Sequence, residues 1–585
     1  MSAHPTTPQR SEHGDAAAGA RLEIAGLRAR PTAEVVVIGG GINGIATFRD
    51  LALQGVDVVL VERDDFVSGA SSASSHMIHG GIRYLENGEF RLVRESVEER
   101  NGLIRIAPHY VKPLQTTVPI YSTFSGILSA PLRFLTHRRG RATERGAALI
   151  KTGLTIYDAF SRDGGAVPRH AFHGRRRSLA ELPALDPAVK YTATYYDASM
   201  HDPERLALDV LFDGLAAGPH ARAANHLGAV GLGADGVRVR DGLTGEEFDI
   251  AADVVVNASG PWTDLTNAGL GRPSTFMGGT KGSHIVLDHP ELLAATAGRE
   301  IFFEHEDGRI VLIYPLKGRV MVGTTDLEHD MREPAVCTED EVDYFFDLIA
   351  HVFPTIRVER SQIVYRFSGV RPLPRHDDTQ PGFVSRDYRI ERAEVSERPG
   401  TTLLSLVGGK WTTFRALAEH LSDEVLELIG RDRLRSTKGL AIGGGAGYPT
   451  TDDARRVWLA SHGDEVGRDR AAQLLERYGT RAEAFLAAIE GERDAPLEHH
   501  PDYTRLEIAW LLRNERVVHL PDLVLRRTSI AFTGTLSAPL LDELADAAAR
   551  VLAWSVERRA QEVAATRSLL ADRHGVRLRD LAPAA

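Results

Sequence analysis

An α/β dinucleotide-binding domain of Rossmann-like type, interleaved with an antiparallel-sheet domain (α+β) and followed by a C-terminal all-α domain, is the architecture this sequence predicts. Three observations carry the prediction. Residues 33–62, AEVVVIGGGINGIATFRDLALQGVDVVLVE, read as strand, glycine turn, helix and strand. Apolar strands return at 253–256 and 403–407, the latter again running into a glycine turn and a helix, while 311–316 and 319–322 pair as a hairpin. From about Gly443 onward the apolar spacing becomes helical.

Residues 34–38 form a β-branched apolar run, as a strand buried on both faces requires. Gly39, Gly41 and Gly44 follow in G-x-G-x-x-G spacing. The first glycine allows a sharp turn, the second lets backbone approach a pyrophosphate, and the third lets the helix pack closely on the strand. The helix start offers free N–H groups and positive dipole to phosphates. Gly55 ends the helix, and the strand 56–61 finishes at Glu62, eighteen residues past Gly44. A carboxylate there accepts hydrogen bonds from the hydroxyls of an adenosine ribose and repels a 2′-phosphate, which argues against NADP and leaves NAD and FAD open.

A chain of 585 residues is too long for one core, so two or three domains are expected. Its formal net charge of −11 gives no reason to expect nucleic acid as a partner. Cys337, the single cysteine, excludes an intramolecular disulfide and has no His or second Cys beside it, so it reads as structural. No cluster with metal-ligand spacing is found, and no apolar run reaches the ~18 residues of a membrane span. Residues 1–30 lack the apolar core of a signal peptide and read as a mobile tail.

The segment 68–86, SGASSASSHMIHGGIRYLE, crowds small hydroxyl residues ahead of His76, His79, Arg83 and Tyr84. Such a loop suits a chain passing closely over a bound cofactor; the plainer reading is a serine-rich surface loop. Residues 90–106 form a charged amphipathic helix. Asn257-Ala-Ser-Gly-Pro follows the strand 253–256 at its C-terminal end, where ligands bind in open α/β sheets. Trp262 reads as packing. Lys281, flanked by Thr280 and Gly282, reads locally as a solvated loop lysine. Thr324, Thr325 and Asp326 serve either as a cap or as a substrate contact. Arg371 stands before Pro372, which stiffens the backbone that aims its guanidinium. Gly408-Gly409-Lys410-Trp-Thr-Thr opens a helix with a cation and two hydroxyls, a second anion site. Residues 441–447 read as a linker, and helices are expected at 452–461, 466–478, 481–489, 506–514 and 537–569.

Taken together, GGGINGIA, SSAS, IHGGIRYLE with EFRLV, NASGPW, KGSHIV, GTTD, SGVRPL, GGKWTT and LEIAWLLRNERVVHLPDLVLRRT resemble the FAD-dependent (aerobic, quinone-linked) glycerol-3-phosphate dehydrogenases, in that family's order, from about residue 33 to about 555. The resemblance implies oxidation of sn-glycerol 3-phosphate to dihydroxyacetone phosphate, by hydride transfer from C2 to flavin N5 and onward passage of electrons to quinone. It implies an FAD-binding domain from 33–110, 200–272 and 368–430, a substrate-binding cap from 111–199 and 273–367, and a helical domain at 440–585. It assigns FAD binding to Gly39, Gly41, Gly44, Glu62, Ser72, Ser74, Gly260 and Gly409. Catalysis falls to His79 as base, with Arg371 and Lys281; Arg83, Tyr84, Lys410 and Thr412 bind substrate. A cytoplasmic protein, peripherally attached to the inner face of the cell membrane, is implied as well, with a homodimer open.

Two stretches depart from the family pattern. His76 stands where the family usually carries a lysine. Residues 122–151 are longer than the usual connection and run from apolar to basic, the composition of an interfacial membrane contact, a solvated insertion or a dimer contact. Three alternatives to the main reading stand beside it: another polyol phosphate such as an erythritol phosphate as substrate, an oxygen-using oxidase, and a non-catalytic flavin-binding protein.

Overall fold

The computed structural model describes residues 21–81, 90–121, 147–160, 167–304, 310–375 and 387–578. Strand Val35–Ile38 is buried along its whole length, which is why its sequence is continuously apolar rather than alternating. It lies inside a six-stranded sheet in the order Arg389–Glu394, Thr402–Val407, Val254–Asn257, Val35–Ile38, Val58–Val61, Ala221–Ala224. Val36 sits between Val255 and Val59 in parallel register, and only the edge strand Arg389–Glu394 runs antiparallel. Helices Ile42–Leu53, Pro203–Leu215 and Phe414–Leu428 cover one face.

The other face carries a three-stranded antiparallel sheet, Leu227–Gly233, Gly236–Asp241 and Glu247–Ile250. Helix Leu22–Ala29 joins it, burying Ile24 and Leu27 in the same core. The expected mobile tail therefore does not extend to residue 30. Two apolar residues three apart place one face of a short helix on the sheet, a pattern too brief to stand out in the sequence.

A second, ten-stranded sheet is mostly antiparallel. Its centre runs Thr280–Leu287, Arg319–Gly323, Ile310–Leu316, Glu300–Glu304, Val111–Ile120 and Tyr191–Met200, with Ile363–Arg371 paired to Thr280–Leu287. The expected hairpin is present, turning at Lys317 and Gly318. Helix Glu339–Val352 covers one face of this sheet, and the C-terminal helices cover the other.

The C-terminal part is helical apart from one short hairpin, Pro496–Leu497 with His500–Thr504. Ser537 caps its helix by accepting from the Leu540 N–H (3.3 Å). The single helix expected over 537–569 is two, Ala538–Leu552 and Val556–His574, broken at Ala553 in the left-handed region (φ 54°). The 441–447 segment is no loose linker: Gly443 N–H donates to Asp213, and Gly444 has no room for a side chain against the Tyr478 carbonyl.

Candidate functional site

The carboxyl ends of strands Val35–Ile38, Val254–Asn257 and Thr402–Val407 stand side by side, and each opens into one of the glycine motifs. Gly39 takes φ +110°, and a Cβ there would lie 2.7 Å from the Ala258 carbonyl oxygen. A Cβ on Gly44 would sit 2.0 Å from the Gly39 carbonyl oxygen, so helix Ile42–Leu53 touches the turn with no space for a methyl group. Gly41 is the residue at the helix N-cap, and Ser71 Oγ accepts from the Ile42 N–H (2.9 Å). Gly260 (φ +61°) lies in the turn after Asn257. Gly409 (φ +105°) faces Asn43, whose amide lies 2.4 Å from where its Cβ would be. The first and second glycine turns therefore meet across Asn43.

Glu62 closes the base of this cradle. Its carboxylate accepts from the Gly40 N–H (2.6 Å) and the Asp64 N–H (2.8 Å). Burial raises its pKa, and those two N–H groups act against that rise. Of the serines, Ser72 donates to the Gly69 carbonyl (3.0 Å) and Ser74 accepts from the His76 N–H (3.3 Å). It is Ser71, not singled out in the sequence, that reaches the helix start; Trp411 Nε1 also donates to its carbonyl (3.0 Å). Trp262 packs under Gly69 and Arg63, in keeping with a packing role.

His79 lies just past the edge strand Met77–Ile78, and its carbonyl accepts from Thr412 Oγ1 (3.1 Å). The turn beyond it rests on a buried network. Gly80 N–H donates to Asp197 (2.9 Å), Arg100 Nη1 donates to Asp197 (3.0 Å) and to the Tyr157 hydroxyl (2.7 Å), and that hydroxyl donates to Asp197 (2.6 Å). Arg100 is fully buried, so losing Asp197 would strand a charge. Lys410 Nζ donates to Ser96 (2.8 Å) on helix Phe90–Ile106. Arg83 and Tyr84 lie outside the described residues, as does most of the 122–151 stretch.

Arg371 is aimed by the Gly323-Thr-Thr-Asp turn. It donates to Asp326 (3.0 Å), Thr324 Oγ1 (3.0 Å) and the Thr325 carbonyl (2.9 Å). Its guanidinium lies over Gly282, where a Cβ would approach to 2.4 Å. His284 shares that face, two residues further along the same strand. Its ring stacks on Phe367 (4.7 Å), its Nε2 pairs with Ser75 Oγ (2.9 Å), and its Nδ1 has no partner among the described residues. Burial and the neighbouring Arg371 cation hold its pKa well below the usual imidazole range.

Lys281 does not join Arg371. Side chains alternate along a strand, so it points to the opposite face, where it donates to Glu341 (2.8 Å) and the Val336 carbonyl (2.7 Å) and is 6% exposed. It is a buried structural cation rather than a loop lysine. Cys337 nearby has its thiol pushed up to about 12 by burial, an unreactive state.

A profile described as FAD dependent oxidoreductase matches residues 34–424, and one described as the C-terminal domain of alpha-glycerophosphate oxidase matches 400–559. A glycerol-3-phosphate dehydrogenase of Synechocystis is 34% identical over 524 residues, covering 85% of this chain and 89% of the relative. This chain belongs to the FAD-dependent glycerol-3-phosphate dehydrogenase family. An aerobic member from Staphylococcus aureus is 29% identical, with 85% of this chain and 86% of that one covered. The fold matches that of a glycerol-3-phosphate dehydrogenase from Bacillus halodurans complexed with FAD: TM-score 0.70, 23% identity, 96% of this chain and 99% of that one. The residues present fit FAD. The side-chain-free turns at Gly39 and Gly44, the helix start beside Ser71 and the acceptor pair of Glu62 form the cradle such a cofactor requires. Among the described residues no helix is long and apolar enough to cross a membrane.

Proposed function

We propose that the chain oxidises sn-glycerol 3-phosphate to dihydroxyacetone phosphate and passes the electrons to quinone. The observation that supports this best is the anchoring of Arg371 by three acceptors over Gly282, beside a buried neutral histidine and across from the cofactor loop. FAD, when bound, takes up the hydride released from the substrate's C2. The chain's own residues do the rest. His79 takes the C2 hydroxyl proton, a task suited to an imidazole near neutral pH. Arg371 stabilises the charge that develops on that oxygen, its donors already oriented. Lys410 and Thr412, at the second helix start, receive the phosphate together with Arg83 and Tyr84. His284 is a poor proton acceptor, because burial and Arg371 both disfavour its imidazolium; it orients the substrate as a neutral ring. Lys281, tied to Glu341 on the far face, takes no direct part.

The same reading places the protein at the inner face of the cell membrane, with residues 122–151 as the contact, on the strength of their apolar and basic composition. Deleting residues 124–146 tests this: liposome binding that survives the deletion rejects it. The reaction is tested anaerobically by adding sn-glycerol 3-phosphate to the FAD-loaded protein. Bleaching of the flavin band is the expected result. A flavin that stays yellow but bleaches with a longer polyol phosphate moves the substrate, and hydrogen peroxide formed at the rate of turnover moves the acceptor to oxygen.

A further inference from the structure

Thr338-Glu-Asp-Glu341 opens helix Glu339–Val352 as a capping box: the Thr338 N–H donates to Glu341 Oε2 (2.9 Å), and the Glu341 N–H donates to Thr338 Oγ1 (3.3 Å). Glu341 is only 3% exposed, and its carboxylate does more than cap the helix. Lys281 Nζ also donates to Oε2 (2.8 Å), which leaves Oε1 for Thr325, whose hydroxyl donates to it (2.6 Å). Burial opposes ionisation of Glu341, and the donors from Lys281, Thr325 and Thr338 outweigh it, so its pKa lies below the ordinary carboxyl range. The group is a carboxylate at neutral pH, with its two oxygens committed in different directions.

Thr325 joins this cluster to the site. Its buried hydroxyl is held twice, donating to Glu341 and accepting from the Ser283 N–H (3.0 Å). Its carbonyl accepts from Arg371 Nη2 (2.9 Å), and its chain neighbours Thr324 and Asp326 accept from the same guanidinium (3.0 Å each). A continuous path of hydrogen bonds and backbone therefore runs Lys281–Glu341–Thr325–Arg371, from one face of the sheet to the other. The strand Thr280–Leu287 is built for both faces. Lys281 and Ser283 serve the cluster, while Gly282 leaves room for the Arg371 guanidinium, which a Cβ would approach to 2.4 Å. A buried ion pair adds little net stability, because desolvation offsets the attraction. What Lys281 and Glu341 supply here is direction: they fix Thr325, and a displacement of about 1 Å in a group that meets the reacting atoms can cost about 10²-fold in rate.

We propose that Glu341, held by Lys281, is a positioning residue for Arg371, acting through the Thr325 hydroxyl to set the turn whose three acceptors aim the guanidinium. The proposal rests on the role given to Arg371 above. Glu341 and Lys281 act from the far face without meeting the substrate, so their effect on the reaction passes through Arg371 and vanishes when Arg371 is absent.

The test is a double-mutant cycle in the FAD-loaded protein, read by stopped flow as the limiting rate of flavin bleaching at saturating sn-glycerol 3-phosphate. Thr325→Val keeps the β-branched shape and removes the hydroxyl; Thr325→Ser keeps the hydroxyl. The valine variant should bleach about tenfold or more slowly, the scale of a misplaced catalytic group, while the serine variant stays within about twofold of wild type. In an Arg371→Ala background the same Thr325→Val change should alter the rate by less than about twofold, since groups that act as one unit are not additive. A merely structural loss would cost the same factor in both backgrounds. That result, or a wild-type rate in Thr325→Val, would overturn the proposal. Lys281→Met, which frees Glu341 Oε2 and spares the turn, carries the same comparison if Thr325→Val does not fold. If wild type itself stays yellow, the substrate reading falls, and the crystal structure of the folded variant decides the positioning: a guanidinium shifted away from Thr324 and Asp326 supports it, and one in its wild-type place overturns it.

Discussion

Gly44→Ala isolates the close contact on which the cofactor cradle depends. Two effects oppose each other. Alanine stabilises a helix interior relative to glycine by about 0.5–1 kcal/mol. Against this, its methyl carbon would lie 2.0 Å from the Gly39 carbonyl oxygen, where 3.0 Å is the closest such contacts come. The obstacle is backbone, so no side chain can swing aside, and the helix start must retreat by about 1 Å from the turn. Overpacking of this kind costs about 1–3 kcal/mol, which outweighs the helix gain in most of its range. The retreat also moves the helix-start N–H groups that would hold the phosphates of FAD. A loss of about 1–2 kcal/mol corresponds to roughly a 5–30-fold weaker FAD affinity. Gly102→Ala is the matched control, since it lies in helix Phe90–Ile106 with nothing within 4 Å of its Cβ. It should stabilise the fold and leave FAD binding alone. The assay is titration of the stripped protein with FAD, followed by flavin fluorescence, with Tm measured in parallel. If Gly44→Ala binds FAD like wild type and gains Tm like Gly102→Ala, the packing argument is refuted.

Four further outcomes are expected. His79→Asn should keep FAD and lower kcat by about 10²-fold or more, the scale of general-base catalysis; near-normal turnover removes His79 from that role. Arg371→Lys should lower kcat/KM by about 10²-fold because a point charge cannot reproduce three directed donors, while Asp326→Asn, which spares two of them, should cost less. Arg527→Ala removes a fully buried partner of Asp65, leaving that carboxylate with Arg526 and Asn225, and should cost about 3 kcal/mol, visible as a lower Tm and faster FAD loss. Glu300 is buried, with one oxygen on Thr116 (2.7 Å) and the other unpartnered, and burial raises its pKa to about 8 from 4.5. Its contribution is therefore fully present below pH 4.5 and lost as pH rises through 8, so Glu300→Gln should gain Tm over wild type progressively across that window. A pH-independent difference would contradict the assigned protonation.

The parts of the site that were legible are those written in contiguous residues. The strand–turn–helix–strand of residues 33–62 specifies its own conformation, because buried parallel strands must be apolar and a turn tight enough to meet a helix must lack side chains. The second glycine turn at Gly408–Lys410 was legible for the same reason. Glu62 could be placed because the length of one helix sets its distance from the turn. Lys281 could not be placed in this way. Alternation puts it and His284, three apart on one strand, on opposite faces, but which face meets Arg371 is set by the register Thr280↔Arg371 with a strand about ninety residues away.

The sequence by itself therefore determined the strand–turn–helix–strand of residues 33–62, the second glycine turn at 408–410, and the family to which the chain belongs. Tertiary structure alone decided that Lys281 neutralises Glu341 on the far face, that Thr324 and Asp326 aim Arg371 rather than cap a helix, and that Ser71 rather than Ser72 meets the helix start. It also decided that the C-terminal helices, through Arg526 and Arg527, grip Asp65 three residues past Glu62. Local patterns encode what a segment must be. Pairing register and the burial of charge between distant segments are set by which surfaces meet, and no spacing within one segment records that.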